Sequence, residues 1–169
     1  MKMSKEFQKE FKRLYTEMAT LCENEEGVGD PFSYGRAKEI LTSIELEHEI
    51  SETLSGADGI DHSGACEYKA TSGKNISGTY NGISVQSTWE EQEKYLREEK
   101  LGKYENHYIC RFEGGKGIVE IWKLSGEDVL TILLPKLKNK YSTVLTKKDP
   151  RLGASLTKKD ITKYGICLR

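Results

Sequence analysis

The stretch Ala57-Asp58-Gly59-Ile60-Asp61-His62-Ser63-Gly64-Ala65-Cys66-Glu67-Tyr68-Lys69 organises the chain. Two aspartates precede a turn, and a Glu and a Lys separated by one residue follow it. His62-Ser63-Gly64 reads as a tight turn that folds the Asp-bearing arm onto the Glu-bearing arm. Side chains alternate across a strand, so Glu67 and Lys69 share a face and Tyr68 points the other way. Asp58, Glu67 and Lys69 are thereby expected to meet at one end of a hairpin. Two carboxylates close together repel each other unless a cation lies between them, and Mg²⁺ takes carboxylate oxygens while keeping several waters. A neighbouring lysine stabilises phosphate charge or helps deprotonate a metal-bound water. Such a constellation suits metal-assisted phosphodiester cleavage. The bland alternative is that E-x-K is a common tripeptide and that an exposed hairpin of alternating charge is ordinarily a solvated face.

Upstream, residues 4–22 carry Phe7, Phe11, Leu14, Tyr15, Met18 and Leu21 at a 3.6-residue period, which predicts an amphipathic helix. Its aromatic stripe packs by default on the core, the alternative being a second subunit. A second helix is expected over about 33–50, with Ala37, Ile40, Leu41 and Ile44 as its apolar face. Downstream, residues 70–84 are rich in Gly, Ser, Thr and Asn and read as a polar loop beside the charged cluster, a common position for binding function. Ser87-Thr88-Trp89-Glu90 reads as a capping box opening a charged helix to about Lys100. Residues 107–112 and 118–124 read as a hairpin around Gly114-Gly115. Ser125 caps a helix that Pro135 is expected to interrupt near Leu134, leaving 137–145 basic and extended. Asp149-Pro150-Arg151 reads as a turn, and Thr157-Lys158-Lys159-Asp160 as a weaker capping box. Hairpins and helices in this proportion predict an α/β (α+β) fold, a mixed five- to six-stranded sheet flanked by helices.

The 169 residues are expected to form one domain, with residues 57–124 as its centre. With 36% hydrophobic and 31% charged residues, the chain has an ordinary globular composition. No apolar run approaches the ~20 residues of a membrane span, and no signal-like segment opens the sequence, so the expectation is a cytoplasmic protein without a membrane partner. Cys22, Cys66, Cys110 and Cys167 form no C-x-x-C pair, which argues against a zinc ribbon; the last three sit in apolar or strand-like contexts and read as core fillers. The net charge of −1 conceals a strong asymmetry. Residues 1–61 carry 7 Lys/Arg against 14 Asp/Glu, whereas residues 136–169 carry 10 against 2. The basic C-terminal fifth is either a footprint for a polyanion or a lysine-rich solvated surface.

An acidic residue on one strand and E-x-K on the next resembles the PD-(D/E)XK nuclease superfamily, to which many type II restriction endonucleases belong. Ala57-Asp58 stands where the family has Pro-Asp. Further resemblance to small members runs through Phe112-Glu113-Gly114 with Ile118 to Leu124, through Lys140-Tyr141, and through the Asp149-Pro150-Arg151 turn. It covers roughly residues 33–168. The resemblance implies a restriction-endonuclease-like fold and a Mg²⁺-dependent homodimer that cuts double-stranded DNA at a short palindrome. It implies that Asp58 and Glu67 hold the metal and that Lys69 sits beside the attacking water. Lys103-Tyr104 resembles a pair whose tyrosine lies near the scissile phosphate, which makes Tyr104 a secondary candidate. Asp61 is the alternative ligand, and Glu45 or Glu49 could join the site. Tyr80, Asn81, Ser84, Lys140, Asp149 and Arg151 are the expected DNA contacts. Consecutive histidines that read bases in small family members are replaced here by Thr79-Tyr80-Asn81-Gly82, so the target sequence does not carry over; Asn remains a good bidentate reader of adenine. The first helix is a plausible dimer surface. A repair or junction-resolving nuclease on the same fold and a non-catalytic DNA-binding module are the other readings.

Overall fold

Asp61 and Gly64 pair directly across the turn that the sequence predicts. The Asp61 carboxylate accepts the Ser63 amide at 2.7 Å, and Gly64 takes φ +115°, a backbone state that side chains rarely tolerate. The computed structural model describes residues 3–53 and 56–169. Its elements, in chain order, are α1 (Lys5–Glu23), α2 (Arg36–Leu46), β1 (Glu49–Ile50), β2 (Gly59–Asp61), β3 (Gly64–Thr71), β4 (Gly78–Ser84), α3 (Trp89–Tyr95) running into a π-helical turn (Leu96–Lys100), β5 (Asn106–Glu113), β6 (Gly117–Ser125), α4 (Gly126–Leu145), β7 (Arg151–Leu156), α5 (Lys158–Tyr164) and β8 (Ile166–Cys167).

Six strands form a mixed sheet in the order β1-β2-β3-β5-β6-β8. Only β3 and β5 run parallel; the other neighbours are antiparallel. Strands β4 and β7 form a separate antiparallel ribbon. The larger sheet buries both faces. On one, Cys66, Tyr68, Tyr108 and Cys110 lie under α2, where Ser43 Oγ is 3.2 Å from the Tyr68 hydroxyl. On the other, Ile109 and Leu124 join Leu130, Leu133 and Leu137 of α4 and Tyr80, Leu152 and Leu156 of the ribbon in the main core. Full burial of each such leucine is worth about 1.5–3 kcal/mol.

The mixed α+β architecture agrees with the sequence reading, and six of its details are corrected. The α1 stripe does not enter the core: Phe7, Phe11, Leu14, Tyr15, Met18 and Leu21 are all exposed, Leu21 by 72%. Helix α2 stops at Leu46, because Glu47 turns left-handed (φ 56°) and frees Glu49–Ile50 to pair with β2. Its buried residues are Arg36, Thr42 and Ser43, whereas Leu41 and Ile44 are exposed, because Thr42 and Ser43 find partners on the sheet and Arg36 finds them on loop carbonyls. Helix α4 passes through Pro135 and absorbs the segment expected to be extended. Proline costs a helix interior about 3 kcal/mol. Here Thr131 and Pro135 both face solvent, while Ile132, Leu133, Leu137, Tyr141 and Val144 are buried and together outweigh that cost. Finally, residues 78–84 are strand, not loop, and Cys167 is exposed rather than a core filler.

The capping boxes form with one shift of register: Thr88 caps α3 with Glu91 rather than Ser87 with Glu90. Ser125 with Asp128 and Thr157 with Asp160 complete the set. Among the described residues no helix is long and apolar enough to cross a membrane.

Candidate active site

Strand β3 changes partner along its length. Gly64 to Cys66 pair with β2, and Glu67 to Thr71 pair with β5. At the changeover, the main chain of Asp58 still donates to the Cys66 carbonyl at 3.0 Å. The Asp58 carboxylate then replaces a strand partner by accepting the Tyr68 amide at 2.8 Å. Gly59 makes this closeness feasible, since a Cβ there would lie 2.2 Å from the Tyr68 hydroxyl. Glycine at 59 is thus a packing requirement.

Alternation in β3 sends Glu67 and Lys69 to the main-core face and Tyr68 under α2. Lys69 Nζ donates to Glu67 Oε1, and to the Tyr68 carbonyl at 3.1 Å. The same ammonium lies 5.2 Å from the centre of the Tyr80 ring. Burial pushes the Glu67 carboxyl above its ordinary value; the Lys69 charge opposes this and the Asp58 charge adds to it. Burial likewise raises Asp58, against Lys69, the Tyr68 amide and Arg36. The site therefore holds two mutually repelling, half-buried carboxyls, with one ammonium bonded to Glu67 and its charge felt by Asp58. That is the electrostatic situation a cation would relieve.

Glu67, Lys69, Tyr104, Lys100, Thr79 and Asn81 line a cleft of about 150 Å³. Tyr104 is held protonated there, its hydroxyl pushed up to about 12 by burial and then by the charges of Glu67 and Asp58. A second cleft, of about 250 Å³, opens from the other side of Lys69 toward Glu39 and Lys38 of α2. Burial and the nearby Asp58 charge raise the Glu39 carboxyl, while Arg36 and Lys69 lower it.

Asp58, Glu67, Lys69 and Tyr104 are thus brought together as the sequence suggests. Asp61 is not part of the group. Its Oδ2 accepts from Asn106 Nδ2 at 2.7 Å and from the Tyr108 hydroxyl at 2.8 Å, which commits it to the sheet. Glu45 pairs with Arg169, and Glu49 is exposed on β1. The α2 carboxylate that feels Asp58 is Glu39, which sequence reasoning missed. Its signal was present: Arg36 and Glu39 lie one helical turn apart at the start of α2.

Of the expected DNA contacts, Tyr80 is corrected. It is 5% exposed, in the core beneath Lys69, with its hydroxyl 2.9 Å from His107 Nδ1. Alternation along β4 puts Tyr80 inward and Thr79 and Asn81 outward, where a polar-loop reading could not separate them. The signal was the Tyr80-to-Ile83 spacing, an alternating pattern broken by a bulge at Asn81-Gly82. On the outer face of the ribbon, Thr79 Oγ1 lies 2.9 Å from Ser155 Oγ, and Arg151 donates to Ser84 Oγ at 3.1 Å and to Asp149 Oδ1 at 3.2 Å. Lys140 lies on α4 and donates to the Gly153 carbonyl at 2.8 Å.

Among the described residues no three His, Cys, Asp or Glu side chains form a ready-made metal cage. A cation here would be held by Asp58 and Glu67 with its other positions filled by water or substrate oxygens, which is how Mg²⁺ is commonly bound. No protein-family model matches the chain, and no curated protein is significantly similar to it.

Proposed function

We propose that the chain is a Mg²⁺-dependent endonuclease of the type II restriction class, with a restriction-endonuclease-like fold, acting on double-stranded DNA at a short palindrome. The observation that carries this reading is the half-buried Glu67–Lys69 pair on the wall of a polar cleft, with the half-buried Asp58 carboxyl near enough to repel Glu67. Asp58 and Glu67 would hold Mg²⁺, which would supply charge neutralisation at a phosphate and a more acidic water. The Lys69 ammonium lies beside Glu67, placed to stabilise charge that develops on a phosphate. Tyr104 stays protonated and donates to a phosphate oxygen.

The β4–β7 ribbon is the proposed DNA-facing element. A two-stranded ribbon fits the major groove, and Thr79 and Asn81 carry its outer face to the cleft edge. Ser84, Asp149 and Arg151 form a polar cluster at its far end. Phosphate contacts come from Lys140 and the other lysines of residues 136–169. A palindromic target demands two-fold protein symmetry, and the exposed α1 stripe is the proposed surface for the second copy.

The test is incubation of a long defined DNA with Mg²⁺ and sequencing of the ends. Discrete fragments sharing one end sequence support the reading. Cleavage at branched or damaged DNA without sequence preference would move the function to repair or junction resolution. Retained cleavage by both Asp58→Ala and Lys69→Ala would remove the site assignment.

A further inference from the structure

We propose that Arg36 is a positioning residue for Asp58, fastening it to the loop that follows α1; the proposal refines the site assigned above without depending on its chemistry. Arg36 is 1% exposed, and each of its three guanidinium nitrogens has a partner. Nε donates to the Val28 carbonyl at 2.6 Å, and Nη2 donates to the Gly27 carbonyl at 3.0 Å and the Ser51 carbonyl at 2.6 Å. Nη1 meets Glu39 Oε2 at 3.4 Å. One buried cation therefore ties together the loop after α1, the start of α2 and the chain leaving β1.

The connection to the site runs through Ser51. While its carbonyl is held by Arg36, its amide donates to the Asp58 carbonyl at 3.2 Å. The Asp58 amide is in turn bound to the Cys66 carbonyl, and its carboxylate to the Tyr68 amide. Asp58 has no regular strand partner beyond this point, because β2 begins at Gly59. Its placement thus depends on two anchors, β3 on one side and Ser51 with Arg36 on the other. A buried guanidinium is costly unless all its donors are met, and a lysine cannot reproduce a fork that serves three carbonyls at once. Arginine at 36 is explained by this geometry, and a general helix-start charge is not.

The experiment compares full-length wild type with Arg36→Lys and Arg36→Gln by amide hydrogen exchange, with Mg²⁺ calorimetry alongside. The amide read is Tyr68, which makes no hydrogen bond to Arg36 and donates to the Asp58 carboxylate. The expected result is exchange at Tyr68 faster by about tenfold or more, the scale of a lost hydrogen bond to a charged group, with exchange of the β5–β6 amides unchanged. Weaker Mg²⁺ binding accompanies it. Folded variants with wild-type exchange at Tyr68 would overturn the proposal. If neither variant folds, native-state exchange on wild type decides: the Ser51 and Tyr68 amides should open together as one unit, and separate openings would overturn it. If wild type binds no Mg²⁺ and cuts no DNA, the nuclease reading fails, while the exchange result still judges Arg36.

Discussion

The carboxylate of Asp58 accepts the main-chain amide of Tyr68 at 2.8 Å, so the acid of one hairpin arm is fastened to the residue between Glu67 and Lys69 on the other. A side chain here does the work of a strand. It sets the spacing of the two acids by main-chain geometry rather than by a flexible contact. Among the described residues no hydrogen bond reaches the other carboxylate oxygen, and the cost of partly burying it is borne by the fold.

That cost predicts an unusual pH response. Asp58 and Glu67 titrate above their ordinary values of 3.8 and 4.5 because burial disfavours their charge. The folded chain therefore keeps protons that the unfolded chain has released, and stability falls as pH rises from the ordinary values through the raised ones. Glu67→Gln is expected to flatten this fall and to raise Tm at neutral pH, while abolishing Mg²⁺-dependent cleavage. Lys69→Ala is expected to lower the cleavage rate by about 10²–10⁴-fold. Wild type should gain Tm from Mg²⁺ at pH 7.5, and the gain should shrink as pH falls through the raised values of the two acids. A Tm independent of both pH and Mg²⁺ would contradict the assignment.

Asp61, three residues on, should behave oppositely. Burial pushes its carboxyl up, but hydrogen bonds from Tyr108, Ser63 and Asn106 and the His48 charge prevail, and the net shift is below the ordinary 3.8. Its stabilisation is present above that value and is lost as pH falls through the lowered one. Asp61→Ala strands the Asn106 and Tyr108 donors and should cost about 1–3 kcal/mol per buried group left unpaired. Urea denaturation checks this. Cleavage by the protein that remains folded should match wild type, whereas a specific loss of Mg²⁺ binding would return Asp61 to the metal site.

The contrast between these two aspartates marks what sequence could reveal. Alternation and the His62-Ser63-Gly64 turn were enough to bring Asp58, Glu67 and Lys69 together, because register across a tight hairpin is a local property. Glu39 was hidden because its nearness to Asp58 depends on how α2 crosses the sheet, a tertiary fact. The β4 strand was hidden because its bulge breaks the period-2 signal and because its partner, β7, lies far along the chain. Pro135 misled because helix propensity is weak beside the burial of five side chains on the other side of α4.

Tyr80 and Asn81 are neighbours in sequence with opposite roles, and a pair of variants separates them. Leu101's carbonyl can only accept, so His107 Nε2 donates to it and Nδ1 accepts from the Tyr80 hydroxyl. Burial holds His107 neutral, its pKa brought down to about 4. Tyr80→Phe leaves that nitrogen unpaired and should cost about 1–3 kcal/mol of stability without changing the DNA sequence that is cut. Asn81→Ala should leave stability within about 0.5 kcal/mol of wild type and relax base preference, each good bidentate contact being worth about 1–3 kcal/mol of discrimination. Sequencing of cleavage ends reads the second effect. A change of site preference by Tyr80→Phe, with none by Asn81→Ala, would reverse the assignment.

The α1 face yields the last prediction. Six large apolar side chains stand exposed along one helix, and Tyr15 stacks on Phe32 with ring centres 4.0 Å apart, extending the patch onto the following loop. The exposed part of such a patch adds nothing to a monomer's stability, because that surface is in water in both the folded and unfolded states. Burial against a second copy recovers about 1.5–3 kcal/mol for each large side chain fully covered. Phe11→Glu and Leu14→Glu are therefore expected to shift the sedimentation profile from dimer to monomer and to leave the monomer's circular dichroism unchanged. Cleavage of a palindromic site should then become nicking of single strands, since each copy carries one Asp58–Glu67–Lys69 set. A wild-type chain that sediments as a monomer at micromolar concentration would exclude the second copy as the occupant of this face.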